Sequence, residues 1–207
     1  MTKISERGMI FNAEMVRALL DGRKTQTRRP IKWKQTRFTE IGEREDGSKW
    51  PWSEDAEHAC DFWHPCPFGA VGDRIWVREA FRVHSRATDV ATLVYKASER
   101  NSWTEQTRRV PVAVCNKPAT PEKWTPSLHM PRWASRILLE ITGVRVERLR
   151  SMSQDDARAE GVIAASGPME AGLAFRELWD SIYGEESWKA NSWVWVIEFK
   201  RVEGGAA

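Results

Sequence analysis

The sequence has few cysteines and tyrosines, and it lacks any long apolar run. Its 207 residues include three Cys and two Tyr. An odd number of cysteines argues against a disulfide framework and fits a reducing compartment. No run of about 18 apolar residues is present, as a membrane-spanning helix requires, and the first residues lack the apolar core of a signal peptide. We therefore expect a cytoplasmic protein with no membrane partner.

Familiar nucleotide and metal signatures are also missing. The sequence has no Walker A loop, no Rossmann glycine fingerprint and no zinc-finger spacing, and we expect no cofactor. The net charge is +3, from 32 Lys and Arg against 29 Asp and Glu. This balance permits nucleic acid as a partner without requiring it, because phosphate binding depends on where the cations cluster.

Tryptophan, in contrast, is abundant, with 12 residues. Its ring supplies a large apolar area and one N–H donor, so it serves hydrophobic cores and also stacks on nucleobases. For any single tryptophan, a place in the core is the commoner role.

The length suffices for one sizeable core. We predict a single domain over residues 1–203, followed by a disordered tail at 204–207. Prolines and tryptophans without a clear period mark 30–70 as an irregular, partly packed insertion, and further prolines mark a long loop at 117–133.

Hydrophobic periodicity predicts short strands and a few helices. The predicted helices cover 13–21, 153–160 and 169–183. The predicted strands cover 9–11, 73–83, 91–97, 110–114, 135–141, 144–149 and 193–199. The Thr142-Gly143 step between two of these strands indicates a bent or bulged strand, or a hairpin. Without a βαβ rhythm, the pattern predicts a mixed α+β fold, a small β-barrel or curled sheet with peripheral helices.

A basic segment at 21–30 follows the first helix. It holds Lys24, Thr25 and Thr27, flanked by Arg23, Arg28 and Arg29. In an extended loop Lys24 lies opposite the two threonines, although a tight turn can bring Lys24 and Thr27 together. A lysine can act as the base for a threonine hydroxyl if burial lowers its pKa. The alternative is a solvated basic loop or a phosphate clamp.

A carboxylate, Glu79, falls on the apolar face of the strand predicted at 73–83. Burial of a carboxylate is costly unless it is paired or hydrogen-bonded. Either Glu79 lies inward with a partner, where it is a candidate functional residue, or a bulge turns it outward.

Two His-x-Cys pairs, His58 with Cys60 and His64 with Cys66, lie close together. Four nitrogen and sulfur ligands suit zinc, but the spacing matches no known finger. They remain weak candidates, and we predict no metal.

A basic and aromatic run occupies residues 129–136. Arg132 and Arg136 are candidates to bind phosphates while Trp133 stacks on a base. The alternative is a loop whose tryptophan plugs one end of the barrel.

Several of these segments together resemble one family. The segments are 22–29 (GRKTQTRR), 72–77 (GDRIWV), 129–136 (HMPRWASR), 159–161 (AEG) and 196–199 (VIEF). They resemble the ASCH domain family of the PUA-like superfamily, and more closely its larger phage and prophage branch, often labelled morphogenetic proteins. Against the minimal members, 30–70 and 98–130 are long insertions.

The resemblance implies a PUA-like β-barrel and a role with RNA, nucleosides or modified bases. Minimal bacterial members are amidohydrolases that remove the acetyl group of N4-acetylcytidine with a lysine, a threonine and a glutamate, here Lys24, Thr27 and Glu160. The remaining candidates would bind substrate or nucleic acid, RNA rather than DNA: Arg23, Thr25, Arg28, Arg29, Glu79, Arg132, Trp133 and Arg136. A non-catalytic RNA, DNA or modified-base binding module is the alternative. The lack of an obvious metal-carboxylate cluster argues against a metal-dependent nuclease.

Overall fold

The structure is a computed structural model that describes residues 4–32, 39–55, 60–163 and 170–202. These residues form eleven strands and five α-helices, which confirms the predicted mixture of α and β structure. The described strands form several sheets, none of which closes into a barrel. No described helix is long and apolar enough to cross a bilayer. The tail predicted at 204–207 lies outside the described residues.

The elements follow one another in a mixed order. The strands are β1 (Glu6–Ile10), β2 (Gln26–Pro30), β3 (Thr39–Glu43), β4 (Lys49–Asp55), β5 (Cys60–Trp63), β6 (Arg74–Arg78), β7 (Phe81–Arg86), β8 (Val90–Tyr95), β9 (Thr107–Pro111), β10 (Leu138–Arg148) and β11 (Trp193–Arg201). The helices are α1 (Ala13–Leu20), α2 (Trp103–Gln106), α3 (Gln154–Ala159), α4 (Ala171–Tyr183) and α5 (Glu185–Lys189).

The chain divides into two compact units. Among the described residues, the first unit holds 4–22, 74–140 and 201–202, and the second holds 23–32, 39–55, 60–73, 141–163 and 170–200. Strand β10 therefore belongs to the first unit up to Glu140 and to the second from Ile141 onward.

In the first unit, β1 pairs in parallel with β6, and β6 pairs antiparallel with the start of β10. A second sheet has the antiparallel order β7-β8-β9. The inward residues of this second sheet form a core with residues of the following loop: Phe81, Val83, Ala91, Leu93, Tyr95, Val110, Cys115, Met130 and Ala134. Strand β9 begins three residues earlier than predicted, because the polar residues 107–109 also pair with β8.

The strand predicted at 73–83 is two strands, β6 and β7, separated by Glu79 and Ala80. The four apolar residues predicted to share a face are all buried: Ile75, Val77, Phe81 and Val83. Glu79 is 2 % exposed, so the alternative in which a bulge turns it outward is wrong.

In the second unit, β2 pairs antiparallel with β11. The prediction of an irregular segment at 30–70 is wrong over β3, β4 and β5, which form an antiparallel sheet with β4 in the centre. Pro51 lies in this central strand, where proline normally costs a ladder hydrogen bond. The His64 backbone N donates to Pro51 O at 2.9 Å, and the His64 carbonyl accepts the Trp50 indole N–H at 2.8 Å. The indole thus supplies the donor that proline lacks.

Helix α3 begins at a capping box, since Ser153 Oγ accepts from the Asp156 backbone N and the Asp156 carboxylate accepts from the Ser153 backbone N. It ends at Ala159, with Glu160 as the C-cap residue and Gly161 next at φ 88°. Helices α3 and α4 pack with β11 in a second core: Leu149, Ala157, Ala171, Phe175, Trp179, Val194 and Val196. Strand β10 runs without a break through Gly143, so the hairpin alternative there is wrong.

Candidate active site

The loop between α1 and β2 is tied to the C-terminal end of α3. The Thr25 backbone N donates to Ala159 O at 2.8 Å, and Arg23 Nη1 donates to Gly161 O at 2.6 Å. The last carbonyls of a helix have no partner within the helix, so they accept such donors readily. These contacts bring residue 24 to residue 160 across 136 positions of sequence.

Lys24 and Glu160 form a buried ion pair. Lys24 Nζ lies 2.8 Å from Glu160 Oε2 and 2.8 Å from the Glu160 backbone O. The two residues are 3 % and 1 % exposed. The lysine therefore neutralises the carboxylate and also caps the helix end, where a cation is favoured. The structure brings together two of the three residues that the sequence predicts to be catalytic.

Arg28 binds the other oxygen of the same carboxylate. Its Nη1 lies 3.2 Å from Glu160 Oε1, and its Nη2 lies 3.2 Å from Glu147 Oε2 and 3.4 Å from Asp156 Oδ1. The arginine side chain is fully buried. Two cations thus share one fully buried carboxylate, while two partly exposed carboxylates hold the far side of the guanidinium.

The surroundings of Lys24 lower its pKa from the value of an exposed lysine. Burial lowers the pKa of Lys24, and the nearby Arg29 and Arg28 lower it further, while the charge and hydrogen bond of Glu160 oppose them without restoring the usual value. Lys24 is therefore easier to deprotonate than an exposed lysine.

Asp156 is the charged anchor of this cluster. Burial alone would raise the pKa of its carboxyl, but hydrogen bonds from Ser153 and Gln26 and the charge of Arg28 hold it well below the usual value. Gln26 Nε2 donates to Asp156 O at 2.9 Å and to Oδ1 at 3.1 Å. Asp156 therefore stays ionised and fixes Arg28 against Glu160.

Thr27 is buried in β2 and faces the other side of the strand. Side chains alternate along a strand, so Thr27 points away from the face that carries Gln26 and Arg28. Lys24 precedes the strand, and its Nζ donates to the backbone O and the carboxylate of Glu160. In the described residues no hydrogen bond joins Thr27 to Lys24.

The face that carries Thr27 is aromatic. Residues paired across antiparallel strands lie on the same face, and Thr27 pairs with Ile197 while Arg29 pairs with Trp195. The Trp195 ring meets the Trp50 ring edge-on, with centroids 4.9 Å apart. Thr27 therefore lies on an aromatic face of the sheet that is packed inside the protein, where Thr27 is 1 % and Trp195 3 % exposed.

The other predicted residues of the 21–30 segment have local roles. Thr25 is exposed, and its carbonyl accepts from the Phe199 backbone N at 2.9 Å. Arg29 is partly buried, and its Nη1 donates to the Tyr183 hydroxyl at 3.4 Å. Arg23 is partly exposed beside the helix end that its guanidinium caps.

The remaining predicted binding residues lie in the first unit. Glu79 accepts from Arg136 Nε at 2.8 Å and from Nη2 at 3.0 Å, and the Arg136 guanidinium lies over the Tyr95 ring at 4.1 Å. Burial raises the pKa of Glu79, although Arg136 partly offsets it. This bidentate pair accounts for both residues as internal partners.

Arg132 and Trp133 also have internal contacts. Arg132 Nε lies 2.9 Å from Glu6 Oε2 on β1. The Trp133 ring meets the Phe81 ring edge-on at 6.3 Å and packs against the core of the first unit. These contacts favour the interpretation in which Trp133 packs inside the protein over the one in which it stacks on a base.

The weak metal candidates are only partly within the described residues. His58 and the side chain of Cys60 lie outside them. His64 Nε2 lies 2.8 Å from Ser53 Oγ, and Cys66 is buried. The described residues contain no cluster of three His, Cys, Asp or Glu that suits a metal.

Sequence reasoning missed the carboxylate side of the cluster. Glu147 and Arg145 share a face of β10 at two-residue spacing, and Arg145 contacts three carboxylates: Glu147, Asp156 and Glu198. The alternating charges at 145 and 147 were the available signal. Asp156 lies within the helix predicted at 153–160, and the sequence indicates no further role for it.

Comparisons with protein-family models, with curated proteins and with solved structures found no match for this chain.

Proposed function

We propose that this protein is an amidohydrolase that removes an N-acyl group from N4-acetylcytidine or a related modified nucleoside. The observation that carries the proposal is the buried contact of Lys24 Nζ with Glu160 Oε2 at 2.8 Å, where burial lowers the pKa of the lysine. The ASCH resemblance supports the same two residues, together with Thr27. The PUA-like barrel that the resemblance implies stays a prediction.

In the proposed reaction, Thr27 is the nucleophile and Lys24 the base. Thr27 Oγ bonds to the acyl carbon while its proton passes to the neutral Lys24 Nζ. The adduct collapses, the carbon–nitrogen bond breaks, and the Lys24 ammonium returns the proton to the leaving amine. Water then attacks the Thr27 ester, gives a proton to Lys24, and the carboxylic acid leaves as Thr27 regains its proton.

Each surrounding residue has a role in this scheme. Glu160 orients Lys24 and stabilises its transient charge, as the third member of a catalytic triad does. Arg28 holds Glu160 in place. The scheme requires the Thr27 hydroxyl to approach Lys24 Nζ when substrate binds, and catalytic hydrogen bonds commonly tighten only in that complex.

The second candidate is a non-catalytic module that captures a modified base. The observation in its favour is that both oxygens of Glu160 already have cationic partners, at 2.8 and 3.2 Å. A module that only binds its ligand does not require a side chain that is free to accept a proton, so a Glu160 carboxylate held by two cations is compatible with binding alone.

Turnover of N4-acetylcytidine, followed by chromatography of released cytidine, separates the two. We expect release by the wild type, loss with Lys24→Met and Thr27→Ala, and partial activity with Thr27→Ser. Lys189→Met, which removes an exposed lysine of α5, is the control and should retain full activity.

Wild-type release no faster than that of Lys24→Met contradicts the proposal. Saturable binding of N4-acetylcytidine without release supports the binding module instead. Full activity in Thr27→Ala, with loss in Lys24→Met, would mean that Lys24 activates water directly.

A further inference from the structure

The positive charge of the chain is concentrated in one of its two units. By sequence, residues 1–22, 74–140 and 201–207 carry sixteen Lys and Arg against ten Asp and Glu, a net charge of +6. Residues 23–73 and 141–200 carry sixteen against nineteen, a net charge of −3. A polyanion is therefore attracted to the first unit.

The outer face of the β7-β8-β9 sheet carries a row of planar groups. Arg82 and His84 alternate on β7 with the buried residues of that strand. The Arg82 guanidinium lies over the Trp124 ring at 4.5 Å, and the His84 ring meets the Trp103 ring edge-on at 5.0 Å. We name these four residues, Trp124, Arg82, His84 and Trp103, the aromatic–basic strip.

One end of the strip is exposed to solvent, and two of its buried nitrogen atoms lack hydrogen-bond partners. Trp103 is 52 % exposed on the short helix α2. Arg82 Nε and His84 Nδ1 are buried, and the described residues give neither atom a hydrogen-bond partner. Unpaired buried polar atoms cost local stability.

An exposed cation borders the strip. Arg109 lies on β9, where it pairs with Thr92 on the outer face of the central strand, and its side chain is exposed. Aromatic rings that bear stacked bases, flanked by arginines that meet phosphates, are how sheets bind single strands without reading their sequence. A duplex hides the faces of its bases, so the rings would have nothing to stack on.

We propose that the aromatic–basic strip binds a single-stranded segment of nucleic acid. Bases stack on Trp103 and Trp124, and a backbone phosphate meets Arg109. The site is new relative to residues 129–136, whose arginines have internal carboxylate partners. Its test measures binding alone, so its failure is separate from a failure of the proposed hydrolysis.

The experiment uses the full chain and a fluorescently labelled single-stranded RNA of about 12 nucleotides, within the usual range of site sizes. Anisotropy titrations are run at several salt concentrations. We expect Trp103→Ala and Trp124→Ala each to weaken binding by at least about 5-fold. Arg109→Gln should reduce the slope of log affinity against log salt by about 0.7.

The matched control is Phe62→Ala. Phe62 is an aromatic residue of the second unit that is 51 % exposed, so its loss removes a similar exposed ring. Its affinity for the RNA should equal that of the wild type. Circular dichroism of every variant checks that the fold is retained.

Several outcomes overturn the proposal. The first is an absence of wild-type binding at low salt. The second is an equal loss in Phe62→Ala and Trp103→Ala, and the third is duplex RNA bound as tightly as the single strand. If Trp103→Ala abolishes binding to anionic lipid vesicles while RNA binding persists, that result would assign the strip to a membrane surface. If Trp103→Ala instead abolishes a dimer seen in sedimentation while RNA binding persists, the strip is a self-association surface.

Discussion

Lys24 and Arg28 bind different oxygens of one buried carboxylate, that of Glu160, at 2.8 and 3.2 Å. Arginine does not lose its proton in proteins, so Lys24 is the cation of this group that can titrate. Burial lowers the pKa of Lys24, and the charges of Arg29 and Arg28 add to that effect. The same contacts make Glu160 the residue on which both cations depend.

Because both cations depend on Glu160, its loss should destabilise the protein more than the loss of Lys24. Glu160→Gln leaves two buried cations without their shared charge and should lower the free energy of unfolding by about 3–5 kcal/mol. Lys24→Met leaves Glu160 paired with Arg28 and deprives the Glu160 carbonyl of a donor, at about 1–3 kcal/mol. Urea unfolding measures both. Glu186→Gln, from an exposed pair on α5, is the control and should cost less than about 1 kcal/mol. A larger loss in Lys24→Met than in Glu160→Gln would contradict this ranking.

Arg28 adds to the lowering of the pKa of Lys24, after burial and Arg29. In Arg28→Gln the repulsion from the guanidinium disappears and Glu160 serves Lys24 alone, so the pKa of Lys24 should rise. In the proposed reaction the neutral lysine is the active form, so the acid side of the kcat/KM profile should move to higher pH, and activity lost at neutral pH should return in alkaline buffer.

A role of Arg28 in folding alone would give a different result. Activity would then fall by the same factor at every pH. Titration of the Lys24 ammonium by NMR, in protein labelled at lysine, gives a readout that does not depend on turnover. An unchanged lysine pKa in Arg28→Gln contradicts the prediction even if activity falls.

Asp156 should make the protein sensitive to acid. Its pKa in the folded protein lies below the usual 3.8, so the unfolded chain binds more protons as the pH falls past that value. The stability it contributes is present above pH 3.8 and is lost as the pH falls toward the lowered pKa. The stability difference between wild type and Asp156→Asn should therefore shrink on acidification. Asp155→Asn removes an exposed carboxylate from the same turn and controls for net charge; an equal shrinkage there would refute the role of Asp156.

The sequence alone led to part of this site. The identity of Lys24 and Glu160 came from the motif resemblance, and their helix and loop came from periodicity and capping residues. The sharing of Glu160 by Arg28 could not be foreseen, because it depends on a contact between β2 and the end of α3. Local patterns carry no information about which distant carboxylate will approach a given cation.

The sheet β3-β4-β5 was missed for a different reason. Proline in a strand normally removes a ladder hydrogen bond, so Pro51 indicated a loop. A side chain compensates for it: the Trp50 indole donates to the His64 carbonyl opposite Pro51 at 2.8 Å. Sequence rules count backbone donors, and they do not anticipate a side chain that takes the place of one.

The Trp50 indole N–H takes the place of the backbone N–H that Pro51 lacks, and this can be tested by mutation. Trp50→Phe leaves the His64 carbonyl without a partner and should cost about 1–3 kcal/mol, more than Trp52→Phe in the same strand. Pro51→Ala restores a backbone N–H that faces His64. The double variant Trp50→Phe/Pro51→Ala should therefore recover part of the loss, whereas Pro51→Ala alone should not stabilise the protein. Thermal and urea unfolding of the four variants measure the coupling. If the two substitutions are additive, the indole does not replace the missing donor, and Pro51 is tolerated for another reason.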